Sequence, residues 1–409
     1  MSFNDFLDRA DAAGRDMDWL TPERARIYSS AGLICVLAII FARLVVIGVY
    51  NKTGLSMFED IGQYWAAAHL VLQGHPAGPY VEALQSQSEL QVYRSAIYQP
   101  FLHPPIFLLL LLPFGMLPFL WAVAAFTLVT GAAYLAAIYQ ATDSIWMVIA
   151  AFAFPAVLLN FVDGQDAMLT AAIIGGGLTL MDRHPRIAGL ILGLMIIKPH
   201  LALAVPIALV LTRRWNVLGW AALSAYVLLL LSITVFGWGA WNAFLASTHV
   251  GRYVLEQGSV WAAGKIQSIF VVVRQSGGSV RTAYIVQLLS AGAALGVFVW
   301  ALRRNVSPAV ERSLIVLVSL IATPYLWPYD LVVLAFPLAW LKVEWTRDGF
   351  PPWGKFALVV VYLLPMTLFT PRRVPPHYCV FGLIGLVLYL VWDDWQSKRR
   401  LRTLTTTPL

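Results

Sequence analysis

Long apolar runs alternate with short polar segments along the whole chain. Runs of about 20 apolar residues recur, beginning with residues 28–50, and a run of that length can cross a hydrocarbon core of ~30 Å. Apolar and polar positions do not alternate within these runs, as they would in the strands of a membrane β-barrel. Helices are therefore the predicted spanning elements. The pattern predicts an all-α polytopic membrane protein with about 11–13 transmembrane helices.

Composition supports a membrane protein and excludes an ordinary soluble domain. The 409-residue chain is 59% hydrophobic and 12% charged, whereas soluble domains have roughly 45–50% apolar and ~25% charged residues. We therefore expect membrane lipids, and no nucleic acid, among its partners. Both cysteines, Cys35 and Cys379, lie in apolar runs, so no disulfide framework is implied. No segment has the spacing of a metal-ligand motif, so we expect no cofactor and assign no metal ligand, and the sequence does not determine metal dependence.

The N-terminal residues look cytosolic, because basic residues near span ends prefer the cytosol. Arg24 and Arg26 precede the first span, and the segment before it is acidic without a cleavable apolar core. Thr21 and Pro22 are typical of an N-cap and a first helical residue. The chain is thereby divided into a cytosolic segment 1–27, a membrane domain 28–395 and a cytosolic tail 396–409.

Placing the remaining basic clusters inside makes the second half of the chain consistent. These clusters are Arg183/Arg186, Arg213/Arg214, Arg303/Arg304, Lys342/Arg347 and Lys398–Arg400. The predicted spans then lie near 216–236, 283–302, 308–323, 325–341, 355–370 and 376–392. The predicted outer segments are a first large loop 51–103, a second large loop 237–282, and short turns at 324–328 and 371–375.

In the first half of the chain, the pattern does not determine whether the number of membrane crossings is odd or even. Residues 104–118 are apolar but short, and they contain Pro113. Counting them as a full crossing puts Gly164 and Gln165 on the side opposite to that required by the rest of the topology. The segment is therefore re-entrant, or one of the boundaries is misplaced.

Basic residues also occur on the expected outer side. The second large loop contains Arg252, Lys265, Arg274 and Arg281, although long loops cross the membrane regardless of charge. The short turn "PRRVPP" contains Arg372 and Arg373, to which that explanation does not apply. Arginine binds phosphate with a planar fork and lysine as a point charge, so these residues suggest an anion site on the outer face.

Lys198 interrupts an apolar segment, residues 192–211. Counted from the flanking basic clusters, the apolar stretch on each side of Lys198 is about a dozen residues, or ~17 Å as a helix, so the segment is either a hairpin with Lys198 at its tip or one kinked span. A lysine at membrane depth needs an anionic partner or a wet cavity, unless its side chain extends to the interface. Two more interruptions are the turn "FVDGQDAM" and the segment "TPYLWPYD", which read alone are a polar turn and a helix cap at Asp330.

The first large loop carries the candidate for catalysis. Asp60, Tyr64 and Ala67 share one helical face, and Trp65 suits a helix lying along the membrane. We predict short surface helices at 56–74 and 82–97. A carboxylate opposite outer cations can deprotonate an acceptor hydroxyl while the cations stabilise a departing phosphate. Read alone, Asp60 is also consistent with a solvated interfacial acid, and its neighbour Glu59 is the competing candidate.

Several segments together resemble a known family. They are "EDIGQYWAAAHLVLQGHPAGPY", "HPPIFLLLLLPFGMLP", "DGQDAMLTAAIIGGGLTL", "RIAGLILGLMIIKPHLALAVPIALVL" and "TPYLWPYDLVVL", in this order. This combination, within about residues 28–392, resembles glycosyltransferase family 87, integral-membrane enzymes of the GT-C fold similar to polyprenyl-phosphate-mannose-dependent mannosyltransferases. The family's Asn-Gly-Gln turn appears here as Asp163-Gly164-Gln165. Many members have histidine where this chain has Trp327–Leu331, which puts the choice of sugar and acceptor in doubt.

The resemblance implies transfer of mannose, or another hexose or pentose, from a polyprenyl-phosphate donor to a lipid or glycan acceptor. It implies a multi-pass protein of the bacterial cytoplasmic membrane whose active site faces the outside, with Asp60 as general base of an inverting reaction. The predicted substrate-binding residues are Tyr64, Trp65, His103, Gln165, Lys198, His200, Arg252, Lys265, Tyr329, Asp330, Arg372 and Arg373. The alternatives are a lipid-linked glycan ligase or polymerase, and a transporter, although no internal repeat is evident.

Overall fold

The computed structural model describes residues 14–50, 59–92, 98–258, 265–369 and 378–405. Every long regular element in these ranges is helical, which confirms the predicted all-α class. The α-helices are α1 Pro22–Tyr50, α2 Glu59–Leu72, α3 Glu82–Glu89, α4 Pro105–Gly115, α5 Phe119–Thr142, α6 Ile145–Phe152, α7 Pro155–Asp163, α8 Ala167–Leu180, α9 Pro185–Gly193, α10 Ala204–Leu211, α11 Trp215–Tyr253, α12 Ile269–Gln275, α13 Val280–Arg303, α14 Pro308–Ala322, α15 Ala335–Asp348, α16 Gly354–Leu363 and α17 Tyr378–Thr405. Tighter 3₁₀ turns occupy Gly78–Tyr80, Leu194–Ile197, Pro199–Ala202, Pro328–Leu334 and Leu364–Phe369.

Several predicted boundaries match the structure. Helix α1 begins at Pro22, and the Arg24 amide donates to Thr21 Oγ1 at 3.3 Å, as an N-cap requires. Helices α2 and α3 lie within the predicted helical segments 56–74 and 82–97, and their position along the membrane surface stays a prediction. Residues 51–58 and 93–97 lie outside the described ranges. Helix α17 continues to Thr405, so the described part of the predicted tail 396–409 is helical, and its cytosolic position stays a prediction.

The chain has fewer long spans than predicted. In the described ranges, five helices are long and apolar enough to cross a membrane, or six if the bent pair α6–α7 counts as one span. The other apolar segments are shorter helices of 10–17 residues, because 3₁₀ turns and prolines interrupt them. The predicted number of about 11–13 is therefore reached only when interrupted helices are counted.

The segment around Lys198 is a hairpin, and it defines two ends of the helix bundle. Lys198 Nζ lies 2.5 Å from Asp166 Oδ1, and Arg214 Nη2 lies 3.1 Å from Asp182 Oδ1. One kinked span would put Asp182 and Arg214 at opposite ends. Helix α8 and both arms of the hairpin therefore run between the same two ends, which we call the Lys198 end and the Arg214 end.

Helix α4 does not carry the chain to the Arg214 end, and this resolves the parity. Both flanks of α4 are held by α2: His103 Nε2 lies 3.1 Å from the Tyr64 hydroxyl, and Trp65 Nε1 donates to the Leu117 carbonyl at 2.8 Å. Helix α5 then begins at the Lys198 end. Gln165 consequently lies on the same side as the first large loop, as the charge pattern of the second half requires.

Contacts assign the remaining helices to the two ends. At the Arg214 end, Lys355 Nζ approaches Asp18 Oδ1 at 3.7 Å, Arg304 Nε approaches Asp394 Oδ2 at 3.8 Å, and Ser307 donates to Glu344 at 2.6 Å. At the Lys198 end, Gln287 Nε2 donates to the Ile321 carbonyl at 2.9 Å. By these contacts we count about twelve passages between the ends in the described part of the chain, each interrupted helix counted as one passage.

The predicted second large loop is mostly helical. Helix α11 changes direction at Gly237, where φ is 75°, a conformation that glycine adopts without steric cost. The chain continues to Tyr253 and returns through α12. Leu255, Ile266, Phe270, Val271 and Ala283 form a small apolar cluster of their own. We call the described residues of this loop that follow Gly237 and precede α13, 238–258 and 265–279, the cap. The cap lies over the Lys198 end.

Close packing of α8 against α15 gives a matched stability test. A Cβ added to Gly175 would lie 2.2 Å from the buried Phe336 ring, whereas one added to Gly176 would meet nothing closer than Ala137 Cβ at 3.5 Å. We expect Gly175→Ala to destabilise the protein by ~1–3 kcal/mol through overpacking, and Gly176→Ala to be neutral or stabilising by ~0.5–1 kcal/mol. Thermal unfolding in detergent measures both. Equal effects would mean that this interface is not as tightly packed as described.

Candidate functional site

A buried ion triad occupies the Lys198 end. Lys198 Nζ lies 2.5 Å from Asp166 Oδ1 and 3.3 Å from Asp330 Oδ1, and the two carboxylates are fully buried. Asp166 precedes α8, Lys198 separates two 3₁₀ turns, and Asp330 lies in the first turn of another. The triad thus joins three helix interruptions at one depth, and it supplies the anionic partner that a lysine in the membrane requires.

Tyr64 connects α2 to this region. Its hydroxyl donates to Gln165 Oε1 at 2.6 Å and lies 3.1 Å from His103 Nε2. The Tyr80 hydroxyl donates to the His103 carbonyl at 3.0 Å, which fixes that loop. Burial lowers the pKa of His103 to about 4, so the imidazole is neutral near pH 7.

A sharp turn places Gln165 and Asp166 beside α2. Gly164 has φ 71°, and its amide and that of Gln165 both donate to the Asn160 carbonyl. The Asn160 side chain accepts the Ala167 amide at 2.9 Å. A Cβ on Gly164 would lie 2.9 Å from Ile61 Cγ2. Glycine is therefore required here both for the backbone conformation and for the close approach to α2.

Asp60 lies in the first turn of α2 and is partly buried. Gln63 Nε2 donates to Asp60 Oδ1 at 3.0 Å. The Asp60 carboxylate is near enough for its charge to act on the hydroxyls of Tyr64 and Tyr329. Asp60 and Tyr64, which the helical spacing places on one face, therefore lie near the same region as the triad.

Aromatic side chains form another wall of the site. Lys198 Nζ lies 5.2 Å from the centre of the Tyr329 ring, within the range of a cation–π interaction. The Trp327 ring stacks parallel to Tyr329 with centroids 5.9 Å apart. His200 contacts the Tyr325 ring edge-on at 6.4 Å, and the Tyr325 hydroxyl donates to the Gly251 carbonyl of the cap. The cap is therefore linked directly to the segment that contains Asp330.

The predicted site residues fall into four groups. The structure brings together Asp60, Tyr64, His103, Gln165, Lys198, Tyr329 and Asp330, with His200 beside Tyr325. Trp65 faces elsewhere, stacked on His69 at 4.7 Å. Arg252 and Lys265 are exposed on the cap. Arg372 and Arg373 lie outside the described residues.

Two residues of this region were missed in the sequence. Asp166 binds Lys198 more closely than Asp330 does, yet only Gln165 of that turn was predicted to bind substrate. The need of Lys198 for an anionic partner was a usable signal, because Asp166 is an acid that precedes an apolar helix. Trp327 was quoted only as part of a motif, and no periodic pattern marks its stacking on Tyr329.

The arrangement can provide a base, neutral hydrogen-bonding groups and one cation, and it offers no obvious metal centre. Among the described side chains, no group of three or more histidine, cysteine, aspartate and glutamate residues could hold a metal ion. An ammonium has three N–H donors, and two of those of Lys198 are directed to Asp166 and Asp330.

Comparison with known proteins identifies the family. The profile of glycosyltransferase family 87 matches residues 101–326, more than half of the chain. The matched range includes His103, Gln165 and Lys198 but not Asp60 or Asp330. No curated protein and no solved structure gave a match. The chain therefore belongs to glycosyltransferase family 87, and it is a membrane glycosyltransferase.

Proposed function

We propose that the protein transfers a sugar from a polyprenyl-phosphate donor to a hydroxyl of a lipid or glycan acceptor, with inversion at the anomeric carbon. The observation that carries this proposal is the position of Asp60. A carboxylate on the first turn of α2 lies in the same buried region as Tyr64, Gln165 and the Lys198 triad. A membrane glycosyltransferase needs such a base beside a cation.

The proposed reaction has one step. The acceptor oxygen attacks the anomeric carbon while its proton passes to Asp60, and the bond between that carbon and the phosphate oxygen breaks. Polyprenyl phosphate leaves as an anion. Phosphate is a good leaving group without protonation, so one carboxylate is enough for this chemistry and no general acid is required.

Lys198 is the proposed contact for the donor phosphate. Its ammonium already binds Asp166 and Asp330, and its third N–H remains for a phosphate oxygen. Three carboxylates and one ammonium make the region anionic overall, so further cations are needed to offset the donor's charge. We propose that these cations are Arg252 and Lys265 of the cap, together with Arg372 and Arg373 of the predicted outer turn 371–375.

The proposed orientation follows from the distribution of basic residues. The Arg214 end carries many of them, among them Arg183, Arg186, Arg213, Arg303, Arg312, Lys342 and Lys355. Basic residues near span ends mark the cytosolic side. We therefore propose that the Lys198 end faces the outside of a bacterial cytoplasmic membrane.

A transfer assay tests the proposed function. Membranes containing the protein would be incubated with radiolabelled polyprenyl-phosphate sugars, mannose first and then other hexoses and pentoses, and the labelled product analysed. We expect a new glycolipid or glycan whose anomeric configuration is opposite to that of the donor. Transfer of a preassembled glycan instead would support a ligase or polymerase, and movement of label across the membrane without a product would support a transporter.

A further inference from the structure

A buried glutamate on α3 joins parts of the first large loop that are distant in sequence. Glu89 is 1% exposed. Its Oε2 accepts the Gln99 amide at 3.1 Å, and its Oε1 accepts Gln85 Nε2 at 3.0 Å. The Gln99 amide lies four residues before His103. Glu89 therefore holds α3 to the loop that leads into the candidate site.

The same contacts continue to the proposed base. Gln85 is fully buried, and its Nε2 also donates to the Gln63 carbonyl at 3.1 Å. The Gln63 side chain donates to Asp60 Oδ1 at 3.0 Å. At the other end of the loop, His103 lies 3.1 Å from the Tyr64 hydroxyl.

These bonds close a ring. It begins at Asp60 on α2, passes through Gln63, Gln85 and Glu89, and returns to α2 through the His103 loop and Tyr64. Ser88 adds a second link from α3 to α2 by donating to the Ala66 carbonyl at 3.1 Å. Breaking the ring at Glu89 removes the bond between the Gln99 amide and α3, while the Ser88 link still holds α3 against α2.

We propose that Glu89 is a positioning residue for the transfer reaction, and that its carboxylate holds the His103 loop in register with the α2 turn that carries Asp60. Glu89 touches neither Asp60 nor His103 directly, so it acts through Gln85 and the Gln99 amide. The activity part of this proposal rests on the proposed function. A misplacement of about 1 Å at a reacting group costs up to ~10²-fold in rate, so a modest shift of this loop is measurable.

The ionised carboxylate is the form that accepts both bonds best. Burial raises the pKa of Glu89 to about 6, against the opposing effect of the bonds from Gln99 and Gln85. Among the described titratable groups near Glu89 is Tyr98, whose pKa is raised by burial and then by the negative charges of Glu82 and Glu89. Because the folded-state pKa is raised above 4.5, this group favours the folded state most at low pH, and that contribution is lost as the pH rises through about 6. We therefore expect protonation of Glu89 to lower activity while its own contribution to folding is retained, so the pH dependence of activity and that of stability can be told apart.

The experiment compares Glu89→Gln with Glu82→Gln, an exposed carboxylate on the same helix. The full-length protein would be assayed from pH 5 to pH 8. We expect Glu89→Gln to lower kcat by about 10–100-fold with KM within threefold, and to remove a group near pH 6 from the acid limb of the kcat profile. Glu82→Gln should match the wild type. An unchanged kcat and an unchanged acid limb in Glu89→Gln would overturn the proposal.

A second measurement does not depend on activity. Amide hydrogen exchange at Gln99 in detergent should be at least about tenfold faster in Glu89→Ala than in the wild type, since the acceptor of that amide is lost. Glu82→Gln should leave it unchanged. If exchange responds as expected but no polyprenyl-phosphate sugar is used, the proposed donor is wrong and the contact stands. If Gln99 exchange is unaffected, the positioning role fails whatever the substrate.

Discussion

Asp60→Asn is expected to lower the rate of sugar transfer by 10²–10⁴-fold, the usual effect of removing a general base. This corresponds to about 3–5 kcal/mol of lost transition-state stabilisation. The amide has the size of the carboxylate and can still accept a hydrogen bond from Gln63, which donates to Asp60 Oδ1 at 3.0 Å. The variant should therefore insert normally and still bind donor. Single-turnover kinetics with radiolabelled donor would separate binding from transfer.

Glu59→Gln is the matched control for the base. Neighbouring positions on a helix point ~100° apart, so Glu59 and Asp60 cannot both face the site squarely. We expect Glu59→Gln to retain most of the wild-type activity. If Glu59→Gln is slow and Asp60→Asn is active, the two residues must exchange roles in the proposed mechanism.

Lys198→Met is expected to destabilise the protein by about 3–5 kcal/mol, the typical cost of removing one partner from a buried ion pair. The change leaves Asp166 and Asp330, both fully buried, without the ammonium that lies between them. Transfer should be lost as well, since the three interrupted helices meet at this triad. The free energy of unfolding in detergent and the transfer rate would both be measured.

A second lysine gives the matched control for stability. Lys355, whose side chain is 22% exposed, lies 3.7 Å from Asp18, which is 92% exposed, and it also donates to the Met17 carbonyl at 3.2 Å. An ion pair that is open to water is worth ~0–1 kcal/mol and a hydrogen bond ~0.5–1.5 kcal/mol, so Lys355→Met should cost clearly less than Lys198→Met. Adding Asp166→Asn to Lys198→Met should recover part of the lost stability, because one uncompensated charge is removed. Equal effects of the two lysine substitutions would argue against a buried triad.

Local patterns in the sequence were sufficient for the helical class and for several helix ends. The start of α1 at Pro22 follows from the preference of N-cap and first-turn positions, which depends on a few adjacent residues. The pairing of Asp60 with Tyr64 on one face follows from helical periodicity in the same way. The predicted number of about 11–13 membrane passages agrees with the contacts, but which passages are interrupted was not predicted, since apolar length alone does not reveal where a chain turns from α-helix to 3₁₀.

The parity of the first half could not be read from the sequence for a different reason. The composition of an apolar segment such as α4 is equally compatible with crossing the membrane and with packing along α2. Only its contacts, His103 with Tyr64 and Leu117 with Trp65, show that both of its flanks stay at the Lys198 end.

The sequence by itself determined that this protein is a helical membrane protein, that a lysine interrupts an apolar segment and so needs an anionic partner, a wet cavity or a path to the interface, and that Asp60 shares a helical face with Tyr64. The tertiary structure decided which anions those are: Asp166 and Asp330, 32 and 132 positions from Lys198. It also joined Glu89 to the loop before His103. The physical reason is that periodicity and end preferences arise within one or two helical turns, whereas the partner of a buried charge is fixed by how distant segments pack.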